Sequence, residues 1–440
     1  MANPLQQAIQ AFKKAKLASP HSFDGLAFEC MSANVGYRLN QQEAASATIG
    51  LRVFVRTLKK IMAGGDPYKL LDGDQHTAIL ESYFVFEELE STYVSKLSGT
   101  SPGVFISKHD LPRQLKSTGG LVRYILFAIP LILKTFFSSE KRGNHAMQLA
   151  FVAEIAGLTH LIEEKKLHRL YDFAPYLIDA NLAYLATKKE GFTYSKLPSP
   201  GPLSTHHHIL FCDELILSSP YQFEEIKQLP NIHYTQLKQW IPEYGFTYID
   251  QYISFKEEAP QQTIGYYSHG GWLRKAQGHT DDGLNIPEAE EQLLKDLGLF
   301  IASNPSFQLI IFPHPREKKE ETWKDTVHFY EQFFPENQRV SINEQGLQTS
   351  KAFHHVDMAV AAFSTILYER LFCGFKTFIG NYGMDHFPME NSSLSPICFD
   401  NAASLSALLS KASTLTREEY FQHFQLKEYH YSAYPYFQPA

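Results

Sequence analysis

The stretch QLIIFPHPREKKEETWKDTVHFYEQFFPENQRVSI, residues 308–342, decides the fold. Gln308–Phe312 is an apolar run of strand length that stops at Pro313. Glu320–Phe333 then carries apolar residues at helical spacing, and Arg339–Ile342 returns to strand character. Strand, helix, strand in that order predicts a right-handed βαβ unit on a parallel sheet. The turn between the first two elements holds His314 and Arg316 around Pro315, just past a buried strand.

The same rhythm extends on both sides. It predicts strands at Thr263–Ser268, Met358–Ala362 and Thr377–Gly380, and helices at Pro287–Asn304, Gly346–Phe353 and Thr365–Cys373. The second half therefore reads as a doubly wound α/β domain. Residues 1–190 read mainly as helix, over Gln42–Met62 and Met147–Glu164 for example. After Leu167 the pattern shortens, with a helix at Asn181–Lys189, a strand at Phe192–Lys196, a strand at Ile209–Leu217 and a helix starting near Phe223. At 440 residues the chain suits two domains. They are expected at 1–255 and 263–440 with a linker at 256–262, and the C-terminal tail is expected to pack back on the first domain.

Composition is that of an ordinary globular protein, 44% hydrophobic and 20% charged, and the net charge of −7 argues against a nucleic-acid partner. Cys30, Cys212, Cys373 and Cys398 have no metal-knuckle or redox spacing, which suits a reduced, cytoplasmic compartment. The N-terminal MANPLQQAIQAFKKAKLASP lacks the apolar centre of a secretory leader. Tyr124–Leu133 is apolar but short of the roughly 20 residues that span a bilayer. Around it, residues 101–150 hold seven basic side chains against two acidic ones, an excess of +5. One reading is a membrane-surface patch over 108–142 at the inner face of the membrane. The other is a buried helix with solvated ends.

In an open parallel sheet, ligands sit beyond the carboxyl ends of the strands. Three segments are expected there: Ser268-His269-Gly270-Gly271, His314-Pro315-Arg316 and Phe363-Ser364-Thr365. Gly270 and Gly271 admit a ligand close to the backbone. Ser364 or Thr365 caps a helix whose N–H groups face an anion. His314, Arg316 and Arg274 add donors and charge for phosphoryl oxygens, and Glu369, one turn into the helix, is placed for a ribose hydroxyl. Together they read as a nucleotide phosphate site. His206-His207-His208 reads as an exposed loop, and no cluster has metal-ligand spacing.

A His-Pro pair after a strand, followed 50 residues later by Ser364-Thr365 in AAFSTILYERLFCGFKTFIGN, resembles bacterial sialyltransferases and polysialyltransferases of the GT-B fold. CDP-glycerol and CDP-ribitol phosphotransferases share a similar pattern. The resemblance covers roughly 205–400. It implies a GT-B-like α/β fold of two Rossmann-like domains facing a cleft, the N-terminal one helix-rich and acceptor-binding. It also implies that His314, Ser364 and Thr365 grip the phosphate of a cytidine-nucleotide sugar of the CMP-sialic acid or CMP-Kdo type. That donor is a co-substrate; no other cofactor and no metal is implied. The acceptor would be a cell-surface glycan or lipid-linked molecule. The chain departs from the pattern in its acidic motif: Asp281-Asp282-Gly283 falls in the second half, inside AQGHTDDGLN, and reads as a turn. The general base is sought in the first domain among Asp213, Asp179 and Asp74. Competing functions are a nucleotide-sugar epimerase of the UDP-GlcNAc 2-epimerase type, a CDP-polyol phosphotransferase and a non-enzymatic polysaccharide-export scaffold.

Overall fold

The computed structural model describes residues 4–17, 46–63, 66, 68–80, 94–95, 99–117, 120–137, 142–172, 191–197, 210–217, 222, 226–228, 232–238, 262–278, 286–334, 339–344, 349–362, 364, 366–383 and 393–433. The chain divides into two compact units, the first ending at Ile241 and the second resuming at Pro242. The expected linker falls almost wholly outside the described residues, as do the helices expected at Asn181–Lys189 and from Phe223, Asp179, Thr365, His206–His208 and the Asp281-Asp282-Gly283 turn.

The second unit has the architecture read from residues 308–342. Its strands are β8 (Thr263–Tyr267), β9 (Gln308–Phe312), β10 (Val340–Ile342), β11 (Met358–Ala361), β12 (Lys376–Gly380) and β13 (Cys398–Phe399). They lie in the order β10-β9-β8-β11-β12-β13, every pair parallel. This is the 3-2-1-4-5-6 order of a dinucleotide-type fold, with its switch point between β8 and β11. The core strands are buried on both faces, so they read as continuous apolar runs. Helices Ile286–Ser303 and Glu320–Glu331 fall within two residues of their expected bounds. Tyr420, Phe421, Phe424 and Tyr429 join the second unit's own core, and residues 434–440 lie outside the described residues.

The first unit carries a seven-stranded sheet of order β1-β3-β2-β4-β5-β6-β7. Its strands are β1 (Tyr68–Leu70), β2 (Asp74–Leu80), β3 (Pro102–Ile106), β4 (Arg169–Asp172), β5 (Thr193–Lys196), β6 (Leu210–Ile216) and β7 (Ile232–Lys238). Only the edge strand β1 is antiparallel to its neighbour. Helix predominates among the described residues of 1–190, but β1 to β4 also lie within them. β1 has three residues and β3 is buried throughout, so neither shows the alternation that marks a strand. The unit is nonetheless helix-rich, with Pro4–Leu17, Ile49–Met62, Gly120–Phe137 and Arg142–Glu164.

Two of these helices are long and apolar enough to cross a membrane by length and composition, and they differ sharply in burial. Arg142–Glu164 is apolar nearly all round and 83% of its most apolar window is buried, as a central core helix should be. Gly120–Phe137 is the helix containing Tyr124–Leu133, and only 28% of it is buried. The helix expected to be buried is thus only partly so: Tyr124, Ala128 and Leu131 face inward, while Val122, Leu126, Ile129 and Leu133 are exposed.

Candidate functional site

Register brings the expected phosphate loops together. Tyr267 of β8 pairs with Phe312 of β9, and each strand continues two residues to a histidine, His269 and His314. The Ser268 N–H still donates to the Phe312 carbonyl at 3.1 Å, so the loops leave the sheet side by side. The two imidazoles meet edge to face at 6.2 Å. On the other side of β8, Val360 of β11 pairs with Tyr266, and Ser364 follows four residues later. Three loops thus leave the carboxyl edge of three adjacent strands, at the switch point.

His314 is half-buried, and its Nδ1 accepts the Arg316 backbone N–H at 3.2 Å. That bond fixes the neutral tautomer with the proton on Nε2. Burial, then the guanidinium charges of Arg274 and Arg316, pulls the imidazole down to about 3. His314 is therefore a neutral hydrogen-bond donor across the physiological range, set beside two fixed cations. A phosphoryl oxygen is suited to that combination.

Two buried carboxylates hold these loops from below. Glu290, from helix Ile286–Ser303, accepts the His269 N–H at 2.5 Å, the Gly271 N–H at 2.6 Å and the Tyr266 hydroxyl at 2.8 Å. Glu317 accepts the His314 N–H at 2.5 Å, the Tyr330 hydroxyl at 2.9 Å and the Trp272 indole N–H. Buried donors need partners, and these carboxylates supply them. The two glycines consequently have a duty other than admitting a ligand. A Cβ on Gly271 would sit 2.5 Å from Glu290 Oε2 and 2.9 Å from Pro287 Cα, while Gly270 turns the chain at φ +75°. Ser268 is similarly engaged, its hydroxyl accepting the Gly270 N–H at 2.9 Å. Sequence reasoning missed both glutamates, since a carboxylate inside an amphipathic helix or a charged loop reads as a solvated residue.

Burial, reinforced by the nearby Glu290, pushes the Glu317 carboxyl up to about 7 against the pull of its donors. The folded protein therefore holds this proton more tightly than the unfolded chain does. The resulting stabilisation is fully present below the ordinary value of 4.5 and is lost as pH rises towards 7. Its size is about 3 kcal/mol. In Glu317→Gln, which mimics the protonated acid, that pH-dependent part should vanish. Urea unfolding of both proteins from pH 4.5 to 7 checks this, and parallel stability curves would refute it.

Glu369 lies half-buried in helix Ile366–Phe372, and desolvation raises its carboxyl to about 8. It is thus protonated at neutral pH and can both donate and accept. The helix has only seven residues and starts after Thr365. Ser364 is half-buried, and its carbonyl accepts the Leu367 N–H at 3.2 Å.

The first-unit candidates separate clearly. Asp74 opens β2, so it sits at the amino edge of its sheet, opposite the strand ends that bind ligands. Its carboxylate accepts the His76 N–H and the Thr77 hydroxyl, bonds that also pull its pKa below the ordinary value. Both bonds are to residues of β2 itself. Asp213, half-buried in β6, accepts the Tyr194 N–H at 2.9 Å. A cluster not anticipated from the sequence lies at the carboxyl ends of β4 and β5. There Lys196 Nζ stands 2.9 Å from Asp172 Oδ2, both fully buried, with the Tyr194 hydroxyl donating to the same oxygen.

No protein-family model matches the chain, and no curated protein matches it. Similar solved structures include a putative UDP-N-acetylglucosamine 2-epimerase from Listeria monocytogenes, at 10% identity and TM-score 0.42, over 79% of this chain and 90% of that one. An O-GlcNAc transferase mutant from Thermobaculum terrenum matches at 9% and 0.38, over 86% and 70%. Sucrose-phosphate synthase from Thermosynechococcus elongatus matches at 9% and 0.40, over 64% and 74%. Likeness at this level is one of general α/β architecture and carries no argument about activity.

Proposed function

We propose that the chain is a glycosyltransferase that takes a sugar from a cytidine nucleotide of the CMP-sialic acid or CMP-Kdo type. The observation that carries this reading is the neutral His314, held beside Arg274 and Arg316 at the switch point of the second sheet. Its Nε2–H would donate to a phosphoryl oxygen, and the two guanidinium groups would offset the charge that develops on the leaving nucleotide. His269 is the natural second donor, Ser364 contributes its hydroxyl, and Glu369 meets the ribose. The acceptor is a cell-surface glycan or a lipid-linked molecule, and the enzyme works in the cytoplasm at the inner face of the membrane.

A general base must take the acceptor's proton. Asp213 is the first-unit candidate carried forward, because Asp74 is at the wrong edge of its sheet. Asp213→Asn should lower kcat by about 10²–10⁴ and leave nucleotide affinity unchanged. A kcat close to wild type would remove Asp213 from the mechanism.

Isothermal titration with CMP, CDP, UDP and GDP tests the whole reading. Tightest binding of a cytidine nucleotide supports it. Failure to bind any of the four overturns it, and conversion of a UDP-sugar to its epimer without an acceptor would replace it with the epimerase function.

A further inference from the structure

Helices Ile49–Met62 and Gly120–Phe137 differ from ordinary surface helices in carrying apolar residues on both faces. Each lays a buried stripe on the first unit, Val53, Thr57 and Ile61 from one and Tyr124, Ala128, Leu131 and Thr135 from the other. They touch through the stacked rings of Phe54 and Tyr124, 6.0 Å apart, and the Tyr124 hydroxyl anchors the second helix to the Leu149 carbonyl at 3.0 Å. The opposite face of each should be polar. Instead the first exposes Leu51, Val55 and Met62 with the half-buried Leu58 between them, and the second exposes Val122, Leu126, Ile129 and Leu133. Both ridges follow the same i, i+4, i+7, i+11 spacing, one helix face in each case. Val122 and Leu126 are 65% and 64% exposed, and Phe137, at the end of the ridge, is 86% exposed.

The charge on these two helices has one sign. Arg52, Arg56, Lys59 and Lys60 lie on the first helix, Arg123 and Lys134 on the second, and neither helix contains an acidic residue. We propose that this two-helix face docks the protein on an anionic lipid bilayer. The apolar ridges enter the boundary between headgroups and acyl chains while Arg52, Lys59, Arg123 and Lys134 meet the headgroups. This sharpens the peripheral-membrane part of the function proposed above and is independent of the nucleotide site. The face lies flat on the membrane, because the inner stripe of Gly120–Phe137 is packed into the first unit and its helix does not span. A second copy is disfavoured as the occupant: in a two-fold pairing the same patch meets itself, and six cations would face six with no acid on these helices.

Co-sedimentation of the full chain with phosphatidylcholine vesicles, with and without phosphatidylglycerol, tests the proposal. Binding should require or be strongly enhanced by phosphatidylglycerol and should weaken with salt. The double variant Leu126→Ser/Leu133→Ser, at exposed positions, should bind at least about tenfold more weakly. Lys59→Gln and Arg123→Gln should each cost about fivefold towards anionic vesicles. His314→Ala should bind vesicles like wild type, so failure of the nucleotide reading and failure of this one are told apart. No sedimentation with either vesicle, or undiminished binding by the double leucine variant, overturns it. So does a solution dimer, seen by light scattering, that the leucine variant converts to monomer.

Discussion

Replacing His314 by alanine is expected to weaken nucleotide binding by about 10- to 100-fold, the worth of one hydrogen bond to a charged acceptor. Transfer should fall further, by about 10²–10³ in kcat, because charge on the leaving phosphate grows in the transition state and the donor is worth most there. The substitution also removes the acceptor of the Arg316 N–H, so part of the loss is structural. His314→Gln separates the two, since its amide keeps a donor near the Nε2 position and should recover part of the affinity. Titration and donor-saturated rate measurements on the three proteins check this. Undiminished transfer by His314→Ala would end the phosphate-contact role.

The largest effect on stability is expected at Glu290. Glu290→Ala leaves three buried donors without their acceptor, the Tyr266 hydroxyl and the N–H groups of His269 and Gly271. An unpaired buried donor costs about 1–3 kcal/mol, and partial relaxation of the loop brings the expected total to about 4 kcal/mol. That is a large share of the roughly 5–15 kcal/mol that holds a typical domain together. Glu290→Gln should lose less, because its carbonyl still serves Tyr266 and His269 while its amide opposes the Gly271 N–H. The same ranking is expected in nucleotide affinity, since Glu290 positions the loop that carries His269 and Gly270. Urea unfolding monitored by Trp272, which lies in that loop's helix, measures the loss. A cost below about 1 kcal/mol would show that the loop holds itself.

His314 and Glu290 weigh differently in the sequence pattern and in the folded protein. His314 stood out because two prolines and an abrupt strand end framed it, signals that survive in one dimension. Glu290 did not stand out, because EAEEQLLKDL offers several glutamates with nothing to show which one turns inward. Its partners come from β8 and its loop, more than 15 residues away in the chain, and only the packing of helix Ile286–Ser303 brings them within reach. The two exposed ridges show the same limit from the other side. Hydrophobicity says that a helix such as Gly120–Phe137 has an apolar surface to place, but not whether protein covers it.

The sequence by itself determined the second unit. Five of its strands, their order of alternation with helices and the loops that follow β8, β9 and β11 were legible, because buried parallel strands and amphipathic helices write distinct local periods. β13 was not, having only two residues. In the first unit only β5 and β6 were read as strands; β1 to β4 and β7 were not. The tertiary structure alone decided which side chains became partners. It put Glu290 and Glu317 beneath the loops that follow β8 and β9, gave Gly271 to Glu290, and assigned Asp74 to the amino edge of its sheet. It also paired Lys196 with Asp172 and turned an apolar helix face outward. The physical reason is common to all of these: burial and hydrogen bonding join residues distant in the chain, and a local period records only which face of an element is apolar.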